Sequence, residues 1–211
     1  MSEMLKLLLQ EKIIAIFRNI EDHCADQAAN ALFDGGIRLM EVTLNTKGAL
    51  AIISRWRDRF DGRAAIGAGT VLDIGMAKEA VAAGAQFIIS PNLDEEVIAY
   101  GSERGVSVWP GVMTPTEIVR AWKAGADAVK IFPMATLGWK YIAEIRAPLN
   151  HIPMIATGGV DLENIKDYFN AGSCAVGMGS KLVNLDWVKN GEFERVTGRA
   201  KAFVEAVKSM P

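Results

Sequence analysis

The sequence repeats one order of features five times, and this repetition constrains the fold more than any other feature. In each case a helix-like stretch ends on small residues, a glycine follows, and a β-rich run begins within a few residues. Glycine just past a helix end adopts the left-handed conformation that stops the helix. Regular alternation of helix and strand predicts parallel strands joined by helical crossovers. The five stretches are FDGGIRLMEV, AAGAQFIIS, ERGVSVWPG, KAGADAVKIF and NAGSCAVGMG.

Together with the β-rich runs between them, these repeats give eight predicted strands. Eight strand–helix units in 211 residues fit a closed (β/α)8 TIM barrel with short loops. We expect a single domain over residues 1–211, with an amphipathic lead-in helix at MSEMLKLLLQEK. An open doubly wound sheet is the rival fold, but IFRNIED, after the first strand, is no glycine-rich dinucleotide loop. The predicted strands are Ile13–Arg18, Leu39–Leu44, Ala64–Gly69, Phe87–Ser90, Ser107–Gly111, Ala128–Phe132, Met154–Thr157 and Ala175–Gly177.

Polar N-cap residues indicate where several helices begin. Asp73, Asp94, Thr114 and Asp161 each precede a helix-like stretch, and their side chains can accept hydrogen bonds from the first free backbone N–H groups. Pro115 suits the first turn, where its missing N–H costs nothing. We therefore expect four helices to begin at these N-cap residues.

A lysine interrupts one of the most apolar predicted strands, AVKIFP at residues 128–133. Side chains of a barrel strand alternate between the helix layer and the lumen, so Lys130 faces the lumen. In LMEVTL the same alternation places Glu41 and Thr43 in the lumen. Burial lowers the pKa of an amine and frees it to attack a ketone, while a nearby carboxylate can move protons. The pair predicts class I aldolase chemistry, with Lys130 and Glu41 as catalytic residues.

A buried Lys–Glu ion pair without chemistry is the simpler interpretation of these two residues. Such pairs rarely add stability, because removing two charges from water offsets most of their attraction. The sequence offers no set of ligands for a metal-dependent mechanism. Its two histidines, His23 and His151, have no ligand-like spacing to another His, Cys or carboxylate. We therefore expect no metal.

Glycines follow the last two predicted strands. ATGGV ends the seventh strand and AVGMGS ends the eighth. Barrels commonly bind phosphate at these two strand ends, where glycines let backbone N–H groups approach an anion. Ordinary turn glycines are the alternative, but their pairing at these two strands favours a phosphate site. The predicted donors are Gly158, Gly159, Gly179 and Ser180.

Other residues at the predicted strand ends complete a substrate site. Thr70, in GAGTV, has a hydroxyl that can bind a carboxylate, although threonine at a strand end is often only a turn former. Arg18 ends the first strand and suits a carboxylate or phosphate, with a rim salt bridge as the alternative. Phe132 and Pro91 are expected to form an apolar wall around the amine.

Composition excludes several classes of function. The formal net charge is −2, with no basic cluster or basic–aromatic face, so nucleic acid is not an expected partner. No segment reaches the 18 or so apolar residues of a membrane span, and the short N-terminal apolar run does not fit a signal peptide. Cys24 and Cys174 are expected to be reduced. These features predict a soluble, cytoplasmic protein without membrane contact.

The chain resembles the KDPG/KHG aldolase family. Seven motifs carry the resemblance in this order over almost the whole chain: EVTLNT, GAGTV, ISPN, WPGVMTPTE, VKIFP, TGGV and GMGS. The family cleaves 2-keto-3-deoxy-6-phospho-sugar acids and, in some members, 4-hydroxy-2-oxoglutarate. Its members are typically cytoplasmic homotrimers without cofactor or metal, so the resemblance implies a homotrimer here.

The resemblance also implies roles for individual residues. Lys130 matches the family's Schiff-base lysine, and Glu41 matches its proton-shuttling glutamate. Thr70 matches a threonine that helps hold the pyruvate carboxylate, while Ser180 and the TGGV glycines match the phosphate end. Asn45 departs from the family, because many KDPG aldolases have an arginine there that binds the carboxylate. This asparagine resembles the branch that cleaves 2-keto-3-deoxy-6-phosphogalactonate.

We therefore expect a Schiff-base aldolase that cleaves 2-keto-3-deoxy-6-phosphogluconate, or its galactonate epimer, to pyruvate and glyceraldehyde 3-phosphate. Three alternatives stay open at this point. One is 4-hydroxy-2-oxoglutarate cleavage as the main activity. The second is a phosphate-binding barrel isomerase or epimerase that uses Glu41 as a base without covalent chemistry. The third is a catalytically idle protein that only binds a sugar phosphate.

Overall fold

Nine short strands, all paired in parallel, form one sheet in the computed structural model, which describes residues 1–208 and 210. Seven of the eight predicted strands coincide with one observed strand to within one residue at each end, and the fifth corresponds to two observed strands. In chain order the strands are β1 (Ile13–Phe17), β2 (Leu39–Thr43), β3 (Ala65–Gly69), β4 (Phe87–Ile89), β5 (Ser107–Trp109), β6 (Gly111–Val112), β7 (Val129–Ile131), β8 (Met154–Thr157) and β9 (Ala175–Met178).

The pairing of the first strand with the last closes the sheet into a barrel. β1 pairs with β2 on one side and with β9 on the other, and the full order is β5-β4-β3-β2-β1-β9-β8-β7-β6. An open doubly wound sheet has no such pairing between its first and last strands. The predicted (β/α)8 barrel is therefore confirmed.

The prediction of one continuous strand over Ser107–Gly111 is wrong. Pro110 divides it into β5, which pairs with β4, and β6, which pairs with β7. Proline has no N–H to donate and interrupts a strand for that reason. Its carbonyl still accepts a hydrogen bond from the Lys130 backbone N–H at 2.9 Å, so the two halves occupy one position of the barrel.

Helices connect the strands and cover the outside of the barrel. The longest, α11, packs against α2 beside the closing strands. Among the described residues, no helix is long and apolar enough to cross a membrane. The helices are α1 (Glu3–Glu11), α2 (Asp22–Asp34), α3 (Ala49–Arg59), α4 (Ile74–Ala82), α5 (Glu95–Arg104), α6 (Pro115–Lys123), α7 (Met134–Leu137), α8 (Trp139–Arg146), α9 (Ile165–Asn170), α10 (Leu185–Lys189) and α11 (Phe193–Lys208).

Three of the four predicted helix starts are confirmed. Asp73, Asp94 and Thr114 cap α4, α5 and α6 with their side chains, and Thr114 forms a capping box with Glu117. The prediction for Asp161 is wrong, because α9 begins four residues later, behind Asn164. The Asp161 carboxylate is instead bound by a lysine and an arginine from other parts of the chain.

Two separate apolar clusters follow from the alternation of side chains along the strands. The larger one lies between strands and helices and contains Val129 and Ile131 of β7. The smaller one fills the lumen and includes Phe87 stacked on Trp109, with ring centroids 4.9 Å apart. Its buried members, apart from two leucines of α1, lie in the strands or directly before one: Ile14, Leu39, Ala65, Phe87, Ile89, Trp109, Ala128, Ile155 and Ala175.

The predicted lead-in helix closes one end of the lumen. Leu5 and Leu8 of α1 are buried in the lumen cluster, and Ser2 caps the helix by accepting from the Leu5 N–H at 3.0 Å. With this end plugged, a ligand has access to the lumen only from the end where the strands finish. The expectation of one domain over residues 1–211 includes Ser209 and Pro211, which lie outside the described residues.

Candidate active site

Lys130 and Glu41 both lie inside the barrel, as the strand alternation predicts. Lys130 is at the centre of β7 and its residue is 5% exposed, while Glu41 is at the centre of β2 and is 1% exposed. Their strand neighbours Val129 and Met40 belong to the apolar layer under the helices. An amine and a carboxyl group are thus held in an interior that is otherwise mostly apolar.

A missing side chain on β3 makes room for the carboxyl group of Glu41. A Cβ atom at Gly69 would lie 2.4 Å from Oε1 and 2.8 Å from Cδ of Glu41, and 3.2 Å from Cγ2 of Thr43. These contacts also show that Glu41 and Thr43 share the inner face of β2, as predicted. Glycine is therefore required here by space, independently of any turn.

Burial shifts the pKa values of the two groups toward each other. Loss of solvation raises the pKa of Glu41 from 4.5 to about 7, although the positive charges of Lys130 and Arg18 oppose the rise. Loss of solvation also lowers the pKa of Lys130; Glu41 opposes this shift and the like charge of Arg18 adds to it. A carboxyl group with a pKa near neutrality can both accept and return a proton, and a desolvated amine is nucleophilic.

Neither group forms the buried ion pair that the simpler interpretation requires. No Lys130 nitrogen lies within 4.0 Å of a Glu41 oxygen in the described chain. Glu41 Oε2 is buried without a hydrogen-bond partner. Lys130 Nζ lies 4.9 Å from the centroid of the Phe132 ring, so this predicted residue is a neighbour of the amine. Buried polar atoms without partners are uncommon in native proteins, and a catalytic role is one reason for a protein to keep such an atom.

A cavity of about 370 Å³ opens above Lys130 at the carboxyl ends of the strands. It brings seven of the eleven predicted site residues together on one surface. Ligand sites of TIM barrels lie at this end. The predicted residues that line the cavity are Arg18, Lys130, Phe132, Gly158, Gly159, Gly179 and Ser180.

Arg18 connects two further predicted residues to this cavity. Its guanidinium donates to Asn45 Oδ1 at 3.2 Å and reaches Thr70 Oγ1 at 3.4 Å. The alternative of a rim salt bridge is not observed, since the described residues place no carboxylate within 4.0 Å of Arg18. Arg18 is exposed at the cavity with its positive charge unpaired, so an anionic ligand can replace its neutral partners.

The two glycine-containing loops, after β8 and β9, line the same cavity as Arg18. Gly158 and Gly159 have φ angles of +99° and +72°, and a Cβ at Gly159 would lie 2.7 Å from Cα of Ala135. Gly179 differs, because its φ is not in the left-handed region and a Cβ there would meet nothing within 4 Å. The backbone conformation and the contact with Ala135 therefore explain why position 159 is a glycine. They do not explain the glycine at 179, which borders open space.

Glu41, Asn45, Thr70 and Pro91 do not line the cavity themselves, and several lining residues were not predicted, among them Thr157. The Pro91 carbonyl packs against Gly111, beside the strand of Lys130, but Pro91 does not line the cavity. Thr157, at the end of β8, is buried and lines it. The strand alternation could have identified Thr157, because Ile155 two residues earlier faces the lumen. A glycine at 177 leaves room for its hydroxyl, which a Cβ there would approach to 2.6 Å.

A larger cavity, of about 690 Å³, lies at the other end of the barrel. It is formed by the N-terminus and by the residues that precede the strands, among them Asp127 and His151. Neither Lys130 nor Glu41 lines it, so the smaller cavity is the candidate active site. In the described part of the chain, no three His, Cys, Asp or Glu residues are grouped to hold a metal ion. Both cysteines are free, as predicted.

Comparison with known proteins identifies close relatives over nearly the whole chain. A family model described as KDPG and KHG aldolase matches residues 4–199. The chain is 36% identical over 197 residues to 2-dehydro-3-deoxy-6-phosphogalactonate aldolase of Escherichia coli (strain K12), covering 93% of this chain and 94% of that protein. It is 34% identical over 198 residues to 2-dehydro-3-deoxy-phosphogluconate aldolase of Treponema pallidum (strain Nichols), covering 93% of both.

A solved structure is similar in the arrangement of its backbone as well. It is the KDPG aldolase of Legionella pneumophila with pyruvate captured at low pH as a covalent carbinolamine intermediate. The TM-score is 0.85 and the identity is 30%, over 92% of this chain and 95% of that one. The matched family region, residues 4–199, includes all the predicted site residues.

The raised pKa of Glu41 predicts that this residue destabilises the fold at high pH. Between the ordinary pKa of 4.5 and the folded value of about 7, the unfolded chain ionises Glu41 while the folded chain keeps it neutral. Stability is therefore lost as the pH rises through this window, on the order of 3 kcal/mol in all. We expect Glu41→Gln to raise the free energy of unfolding at pH 8 by about 2 kcal/mol more than at pH 5.

Urea denaturation of the two proteins at both pH values measures this difference. Glu103→Gln, at an exposed position of α5, is the matched control and should show the same small change at both. An equal effect of Glu41→Gln at pH 5 and pH 8 would contradict the raised pKa.

Proposed function

The chain belongs to the KDPG and KHG aldolase family, and from this premise we propose that it is a Schiff-base aldolase for a phosphorylated 2-keto-3-deoxy sugar acid. The products would be pyruvate and glyceraldehyde 3-phosphate. The observation that supports this most directly is the desolvated Lys130 amine at the base of the cavity, next to a carboxyl group with a pKa of about 7.

The first step forms a covalent bond between enzyme and substrate. The neutral amine of Lys130 attacks the C2 ketone, and the resulting carbinolamine loses water to give an iminium ion. The positive nitrogen then accepts electrons from the neighbouring C–C bond. The lowered pKa of Lys130 favours this step because the attacking amine has to be unprotonated.

The second step breaks the C3–C4 bond. Ionised Glu41 removes the proton of the C4 hydroxyl, directly or through a water molecule, and the aldehyde forms as the bond electrons move to the iminium and give an enamine. Glu41 then returns the proton to C3, and water hydrolyses the pyruvate iminium to free Lys130. The same carboxyl group therefore gives and takes one proton per turnover, for which a pKa near 7 is well suited.

Two anionic ends of the substrate match two sides of the cavity. The carboxylate would bind Arg18, whose guanidinium now rests on the neutral oxygens of Asn45 and Thr70. A charged guanidinium just past the end of β1 can thereby compensate for the uncharged Asn45. The phosphate would bind the N–H groups of the glycine loops and the hydroxyl of Ser180. This second anion site favours a phosphorylated substrate over 4-hydroxy-2-oxoglutarate.

Cleavage assays with purified enzyme test the proposal. We expect activity on at least one of 2-keto-3-deoxy-6-phosphogluconate and its galactonate epimer, and Asn45 favours the galactonate. Lys130→Met, which keeps the apolar stem without the amine, should lower kcat at least about a thousandfold. Lys78→Met, at an exposed site on α4, should leave kcat unchanged. Near-normal cleavage by Lys130→Met would exclude a Schiff base at Lys130.

Gly69→Ala tests whether Glu41 moves the proton. The new methyl group would overlap Oε1 and displace the carboxyl group, so we expect kcat to fall about tenfold or more. Formation of a borohydride-trapped adduct with pyruvate should persist, because the amine is untouched. Gly198→Ala on α11, where a Cβ meets nothing within 4 Å, is the control. Loss of both adduct and turnover would point to misfolding around Lys130 instead of a displaced base.

We expect the enzyme to be a cytoplasmic homotrimer, as in the family it resembles. Leu72, Met113 and Trp139 are large apolar side chains that stay exposed in the single chain, and burial between subunits would be favourable. A phosphorylated substrate is also retained inside the cell by its charge. Sedimentation velocity of protein from the cytoplasmic fraction should give the mass of three chains; a monomer would contradict this expectation.

A further inference from the structure

Lys181 is a positive charge at the edge of the candidate active site that the assigned roles do not use. It follows Ser180 directly and lines the same cavity as the two glycine loops. Its side chain is 60% exposed, and its Nζ lies 2.9 Å from Oδ2 of Asp161. Lys181 is thus an ammonium group on a flexible side chain, and the Asp161 carboxylate holds it beside the predicted phosphate donors.

The Asp161 carboxylate pairs with a second cation, Arg199, whose side chain is less exposed than that of Lys181. Arg199 of α11 reaches Oδ1 of Asp161 at 2.6 Å, and its side chain is 27% exposed. Arg199 also donates from Nε to the backbone carbonyl of Lys181 at 3.1 Å. It therefore fixes both Asp161 and the backbone on which Lys181 stands. If Lys181 leaves Asp161, the carboxylate stays paired with Arg199.

Asp161 also belongs to the loop that carries the other phosphate donors. Its N–H donates to Oδ1 of Asn164 at 2.8 Å, and the amide of Asn164 donates to the Gly159 carbonyl at 2.9 Å. The loops after β8 and β9 are thereby joined through the Asp161–Arg199 pair. With two cations against one carboxylate, this junction has a net positive charge next to the glycine N–H groups.

We propose that Lys181 is a specificity-determining residue that turns from Asp161 to the substrate phosphate, while Arg199 keeps Asp161 neutralised. This inference rests on the proposed function for the identity of the substrate. The phosphate is a dianion, and its attraction for an ammonium group is stronger than that of a single carboxylate already shared with arginine. Lys181 thus favours phosphorylated substrates over unphosphorylated ones of the same carbon skeleton.

Inorganic phosphate is a probe that does not depend on turnover. Its dissociation constant can be obtained from its thermal stabilisation of the protein at constant ionic strength. For Lys181→Met we expect binding about five- to tenfold weaker than in the parent protein, and Lys181→Arg should restore most of it. The difference should shrink at high salt, because charges at an exposed site are screened.

The matched control is Lys189→Met. Lys189 is also about half exposed and also bound to one carboxylate, Glu21 at 3.2 Å, but does not line the cavity. The Lys189→Met substitution should leave the dissociation constant for phosphate unchanged. Equal phosphate affinity in Lys181→Met and the parent protein, or an equal loss in Lys189→Met, would overturn the proposal.

Steady-state cleavage then separates this inference from the proposed function. Lys181→Met should raise KM for the phosphorylated substrate about five- to tenfold with kcat within about twofold, and leave KM for 4-hydroxy-2-oxoglutarate unchanged. A structural salt bridge alone would affect both substrates equally, which would overturn the role of Lys181. If the parent protein cleaves neither substrate, the proposed function fails, and phosphate binding still decides the role of Lys181.

Discussion

The barrel lumen keeps water away from two ionisable groups, the amine of Lys130 and the carboxyl group of Glu41. The rest of the site depends on this desolvation. Water would keep Lys130 charged and Glu41 ionised, and neither could then exchange its proton near neutral pH. Burial brings the two pKa values toward each other, and the positive charge of Arg18 keeps that of Lys130 low. The fold loses stability in holding them, which is common where a protein keeps charges in its interior for a function.

The barrel provides this environment through small residues and through closure at one end. Gly69 leaves the volume that the Glu41 carboxyl group occupies, and Leu5 and Leu8 of α1 seal the opposite end of the lumen. Substrate and water therefore have access only over the loops that finish the strands. The same loops bring the anion-binding groups to the reacting carbonyl, so that binding and chemistry lie at one end of the molecule.

Strand–helix alternation and side-chain parity were sufficient to predict the barrel, the inward direction of Lys130 and Glu41, and the strand ends that surround the cavity. The sequence could not predict what depends on contacts between distant segments. The break at Pro110 follows from which neighbours each half-strand pairs with. The local sequence suggested that Asp161 is a helix cap. Its actual partners, Lys181 and Arg199, lie far from it in the sequence and could not be predicted. The bond between Arg18 and Asn45 likewise joins different loops.

The proposed chemistry requires an imine between Lys130 and a 2-keto acid. Borohydride reduction in the presence of pyruvate, followed by peptide mass spectrometry, detects this imine, because reduction makes it permanent at the lysine that formed it. We expect one adduct per chain, on the peptide that contains Lys130, and none when pyruvate is omitted. A protein that remains unmodified, or an adduct on a different lysine, would contradict this expectation.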